Sequence, residues 1–189
     1  MFITPREVID IIIMTLAIGY IFSTIIKREP TPGYDPLKYY QKNQLWENIK
    51  FGAMIAAPAV VLHELSHKFV AMTYGAIATL HAPLGWYLIV IILRILNFPL
   101  VFFVGGYVTH TPLPPFESAM VALAGPLMNL ILYAGFTYVV KYKIIPKKYF
   151  RMALISAKLN MFLLIFNMIP IPGFDGSHVF SGLLTYFGL

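Results

Sequence analysis

Residues 51–74 form an apolar run that nevertheless contains His63, Glu64, His67 and Lys68. Ionisable side chains in hydrocarbon are costly, and they occur where they face a protein interior or a wet cavity. The run must therefore be a helix, with its backbone satisfied internally and these side chains turned inward. On a helix, His63 and His67 lie one turn apart on one face, so both imidazoles can bind one ion. Glu64 projects about 100° away, near enough to act on a water held by that ion. At the His and Glu content of this chain, a chance match to the five-residue pattern is on the order of a few in a thousand. The bland alternative is an incidental pair of buried histidines satisfied by backbone carbonyls. The pattern points instead to metal-assisted hydrolysis within a bilayer.

The whole chain agrees with a membrane setting. It is 59% hydrophobic and 12% charged, whereas soluble domains are about half apolar and about a quarter charged. An all-α polytopic membrane protein is expected, integral and multi-pass, with the cell membrane as its location. The net charge of +6 does not indicate nucleic acid, because the basic residues sit at the ends of apolar runs. There they suit headgroup contact and topology signals. Cysteine is absent, which excludes disulfides and thiolate metal sites.

Along the chain, 8–26 reads as a retained N-terminal span, too long for a signal-peptide core and interrupted by Asp10. A polar loop with Pro30, Pro32, Gly33 and Pro36 follows over 27–44. The chain then divides into this N-terminal part, 1–45, and a core, 46–189. Core helices are expected near 46–75, 116–140 and 152–169, with Pro58 as a kink or local restart. The stretch 84–104 is apolar but broken by Arg94, Asn97 and Pro99, and Gly105 and Gly106 close it. Two basic loops, 27–50 and 141–151, each hold five Lys or Arg. Keeping both on one side of the membrane makes 84–108 a re-entrant or hairpin segment rather than a span. The tail after Gly176 is short for crossing about 30 Å of hydrocarbon.

A hydrolytic zinc site needs three protein ligands and an open position. The other acidic residues are Glu7, Asp10, Glu29, Asp35, Glu47, Glu117 and Asp175. Asp175 is the best third ligand, because the prolines and glycines of 170–176 break the helix and can turn a carboxylate back toward a neighbour. Its plain alternative is to cap a helix beginning at Ser177. Two imidazoles and a carboxylate suit zinc, with iron as the minor alternative. Asn129 stands one turn after Gly125 in an apolar span. It serves either as an interhelical hydrogen-bond partner or as a donor to a substrate carbonyl or oxyanion.

Together, His63-Glu64-x-x-His67, Gly105-Gly106-Tyr107-Val108, Gly125-Pro126-x-x-Asn129 and Asn167-x-x-Pro170-x-Pro172-x-x-Asp175-Gly176 resemble the site-2 protease family of intramembrane zinc metalloproteases. The elements occur in the family's order and cover roughly 46–181, in a minimal form without a PDZ or CBS domain. The resemblance implies a three-helix intramembrane core, one zinc held by His63, His67 and Asp175, Glu64 as the base, and Asn129 orienting substrate. The substrate it implies is a transmembrane protein or peptide in the lipid bilayer. The competing class is a non-proteolytic membrane metal-binding scaffold or transporter with a protease-like core. Oligomeric state is not encoded legibly.

Overall fold

The computed structural model describes residues 2–23, 25–26, 44–96, 98 and 105–188. Its elements are α1 (Pro5–Phe22), α2 (Gln44–Thr73), β1 (Ala78–His81), α3 (Leu84–Ile95), β2 (Tyr107–His110), α4 (Pro115–Lys141), a 3-10 turn (Lys147–Tyr149), α5 (Phe150–Asn167) and α6 (Asp175–Phe187). The protein is mostly helical. Among the described residues, α2, α4 and the stretch Lys147–Asn167 are long and apolar enough to cross a membrane. α2 runs without a break through Pro58, so the restart expected there does not occur. The polar loop over 27–43 lies outside the described residues.

The chain separates into two compact units, Met1–Pro58 with Ala82–Gly105, and Ala59–His81 with Gly106–Leu189. In the first, α1 starts at a reciprocal cap. The Glu7 carboxylate accepts from the Thr4 N–H at 2.7 Å, and the Thr4 hydroxyl accepts from the Glu7 N–H at 3.3 Å. Each satisfies a backbone donor that the first helical turn leaves open. α1 carries Arg6, Glu7 and Asp10, and it is not one of the three helices apolar enough to span.

α3 docks on α1 through Arg94, whose guanidinium lies 3.7 Å from the centroid of the Tyr20 ring and donates to Ser23 Oγ at 2.9 Å. At 12 residues, α3 is about 18 Å long, short of the roughly 30 Å of hydrocarbon. The remainder of the expected re-entrant segment includes residues 97 and 99–104, which lie outside the described residues. Tyr87 of α3 donates to the Gly105 carbonyl at 2.9 Å.

In the second unit, β1 and β2 pair antiparallel, with Ala78 opposite His110 and His81 opposite Tyr107. The pair is anchored by an apolar cluster of Ala71, Ala76, Ala78 and Val121, against which Val108 packs. An all-helical reading did not foresee this sheet, since two four-residue strands leave almost no periodic signal. α5 and α6 both pack on α4. The outer faces of α4 and α5 expose Leu127, Ile131, Phe162 and Ile165. Such faces are a liability in water but ordinary against lipid tails.

Candidate metal centre

α2 delivers two imidazoles to one point. Within the second unit, the Nε2 atoms of His63 and His67 are 3.1 Å apart. The chain leaves α5 through a turn at 168–174 and re-enters a helix at Asp175. That turn is tight: a Cβ on Gly176 would come within 2.5 Å of the Met168 carbonyl, so only glycine fits. Asp175 Oδ2 then lies 3.0 Å from His63 Nε2 and 3.4 Å from His67 Nε2. The cap position of α6 is Phe174, with no side-chain cap bond. Asp175 thus faces the histidines instead of serving as an N-cap.

The tautomers follow from the far side of each ring. His67 Nδ1 faces the Val121 carbonyl at 2.7 Å, an acceptor only, so Nδ1 carries the proton. His63 Nδ1 faces Asn129 Oδ1 at 2.6 Å, and the same reasoning applies once that amide is oriented. Asn129 Nδ2 lies 3.2 Å from the Ala59 carbonyl, which fixes its NH2 there and its oxygen toward His63. In its neutral form each ring turns a bare Nε2 lone pair toward the other and toward Asp175 Oδ2. That oxygen is buried and accepts no hydrogen bond among the described residues. Three electron-rich atoms so close repel one another unless a cation sits among them.

The spacing fits zinc. Ligand atoms about 2.0–2.1 Å from a tetrahedral centre stand about 3.3 Å apart, and the three separations here are 3.0, 3.1 and 3.4 Å. His63, His67 and Asp175 are the one group among the described residues whose donor atoms could hold a metal ion. Gly125 of α4 leaves the space open. A Cβ there would reach 2.5 Å from His63 Nε2 and would also collide with His67 Nε2.

Comparison with known proteins gives the same chemistry. Over 181 residues the chain is 33% identical to the protein named "Putative zinc metalloprotease MJ0611" of Methanocaldococcus jannaschii, covering 93% of this chain and 84% of that one. The chain belongs to this zinc metalloprotease family. No family model matches it, and no solved structure does.

For a zinc metalloprotease, the remaining polar groups near the metal position carry the interest. Glu64 is buried beside His63, with the Gly106 backbone amide near its carboxylate. Asn129 is wholly buried. Its amide donates to Ala59 and, at 2.9 Å, to Asn160 Oδ1. Both amide hydrogens are thus committed, and the donation to a substrate oxygen expected from the sequence has no hydrogen left to make it. Asn160 went unnoticed in the sequence, although an amide in an apolar span carries the same signal that singled out Asn129. The other histidines stay apart from the centre. His81 meets Thr109 Oγ1 at 3.0 Å and stacks on Tyr107, His110 Nδ1 meets the Thr111 carbonyl at 2.9 Å, and His178 is exposed.

Proposed function

We propose that this zinc metalloprotease is an intramembrane endopeptidase of the site-2 protease kind, hydrolysing peptide bonds of transmembrane substrates. The observation that carries the reading is the position of the ligand pair. His63 and His67 belong to a helix long and apolar enough to cross a membrane, so chemistry at that pair takes place at membrane depth.

His63 and His67 would hold one zinc ion per chain through Nε2, and Asp175 through its carboxylate. Zinc bound there would lower the pKa of a water toward about 7 and polarise the scissile carbonyl. Glu64, one residue from a ligand, takes the proton of the attacking water and returns it to the leaving amine. Asn129 acts through His63 and fixes the ring that bears on the metal. Burial of His63, Glu64, His67 and Asn129 limits bulk water around them, which strengthens each electrostatic contact.

A transmembrane substrate hides its amides in helical hydrogen bonds and must unwind to be cut. The β1–β2 pair offers main-chain groups to which an unwound segment can add as a further strand. In this reading residues 46–189 are the protease core in a multi-pass protein of the cell membrane. α1, within 1–45, is an accessory N-terminal helix and α3 enters the bilayer without crossing. The partners are the lipid bilayer and a transmembrane protein or peptide.

The test is cleavage of a reconstituted transmembrane peptide by protein purified in detergent. Activity that survives complete zinc chelation, or an intact zinc site that cuts no transmembrane peptide but carries ions into sealed vesicles, overturns the reading.

A further inference from the structure

We infer that Asn160, on a helix that supplies no metal ligand, is a positioning residue for His63 and sets how tightly the metal is held. The inference rests on the metal-site reading above and extends it to α5. Four hydrogen bonds run in one direction. Asn160 Nδ2 donates to the Ser156 carbonyl at 2.8 Å. Asn160 Oδ1 accepts from Asn129 Nδ2 at 2.9 Å, Asn129 Nδ2 also donates to the Ala59 carbonyl at 3.2 Å, and Asn129 Oδ1 accepts from His63 Nδ1 at 2.6 Å.

The direction cannot be reversed. The Ser156 and Ala59 carbonyls accept only, so each amide must present its NH2 to a carbonyl. A flipped Asn160 would set its oxygen against the Ser156 carbonyl and its NH2 against that of Asn129. A flipped Asn129 would set its oxygen against two others and its NH2 against His63. His63 would then need its proton on Nε2, pointing at Asp175 and His67, where it would exclude a cation. Asn129, Asn160 and Ser156 are 0, 1 and 3% exposed, so water does not replace a missing partner. Asn160 therefore shares with the Ala59 carbonyl the task of keeping Nε2 of His63 bare.

Ordinary interhelical adhesion between α4 and α5 predicts a different result, because it concerns stability and not the metal. The test is zinc affinity of the full chain in detergent, measured against a competing chelator without substrate. Asn160→Leu should weaken zinc about 10- to 100-fold and alter the visible absorption bands of the cobalt-substituted protein. Asn160→Asp, as a protonated acid whose O–H donates to the Ser156 carbonyl and whose other oxygen faces Asn129, should stay within about threefold of the parent. Parent-like affinity and spectrum in Asn160→Leu overturn the inference, as does an equal loss in both variants. Nitrogen-15 NMR of the zinc-loaded parent gives a check that requires no variant to fold. Coordination of His63 through Nε2 with the proton on Nδ1 supports the chain of bonds, and coordination through Nδ1 overturns it. Tight zinc without any cleavage would be a failure of the protease reading alone.

Discussion

Asp175 Oδ2 stands 3.0 Å from His63 Nε2, which joins the middle of one helix to the first residue of another. Neither residue could hold a metal in the manner described without the other. The contact depends on the glycine- and proline-containing turn before α6, so the site is assembled by the packing of three helices and not by a local motif.

Replacing Asp175 should therefore remove the metal while leaving the helices in place. Asp175→Ala protein is expected to purify with little zinc and to show near-parental helical circular dichroism. Elemental analysis beside the spectrum checks both parts.

Glu64→Gln should separate binding from chemistry. The amide preserves size and burial but cannot take a proton, so zinc content stays and cleavage falls by about 10²- to 10⁴-fold. Parent-like cleavage of a transmembrane peptide would remove Glu64 from the proton transfer.

Two glycines of α4 should respond in opposite ways to alanine. At Gly125 a methyl group would collide with both imidazole nitrogens. A displacement near 1 Å at a reacting centre costs about 100-fold, and the loss should appear in zinc affinity as well as in turnover. At Gly135 nothing lies within 4 Å of the added carbon. That variant should be slightly more stable, by about 0.4–1 kcal/mol, with unchanged zinc content. Thermal unfolding and metal titration of the pair provide the comparison.

Arg94→Ala removes the contact with Tyr20 and the hydrogen bond to Ser23 within the first unit. A desolvated cation–π contact is worth about 2 kcal/mol, and a loss of that order in thermal stability is expected with no change in zinc content. A variant that unfolds at the parental temperature would show that α3 is held by other means.

Much of the site was legible because its signals are local. The His63–His67 spacing follows from 3.6 residues per turn, a property of the backbone alone. The three long apolar helices were equally visible, since length and hydropathy decide them before any packing is known. Asp175 was visible in part: Pro170, Pro172, Gly173 and Gly176 announce a break, but a capping aspartate would carry the same announcement. The sheet was not visible, because pairing Ala78 with His110 is a long-range choice that four-residue strands do not advertise.

By itself the sequence determined the apolar helices, the imidazole pair and the type of metal such donors suit, since these depend on composition and helical repeat. Tertiary structure alone decided which side chains meet. It turned Asp175 toward the histidines and set the Val121 carbonyl behind one ring and Asn129 behind the other. It also aligned Asn160 so that the amide of Asn129 has one orientation. Hydrogen-bond direction in a buried network is a property of the partners, and those partners come from separate helices brought together only by folding.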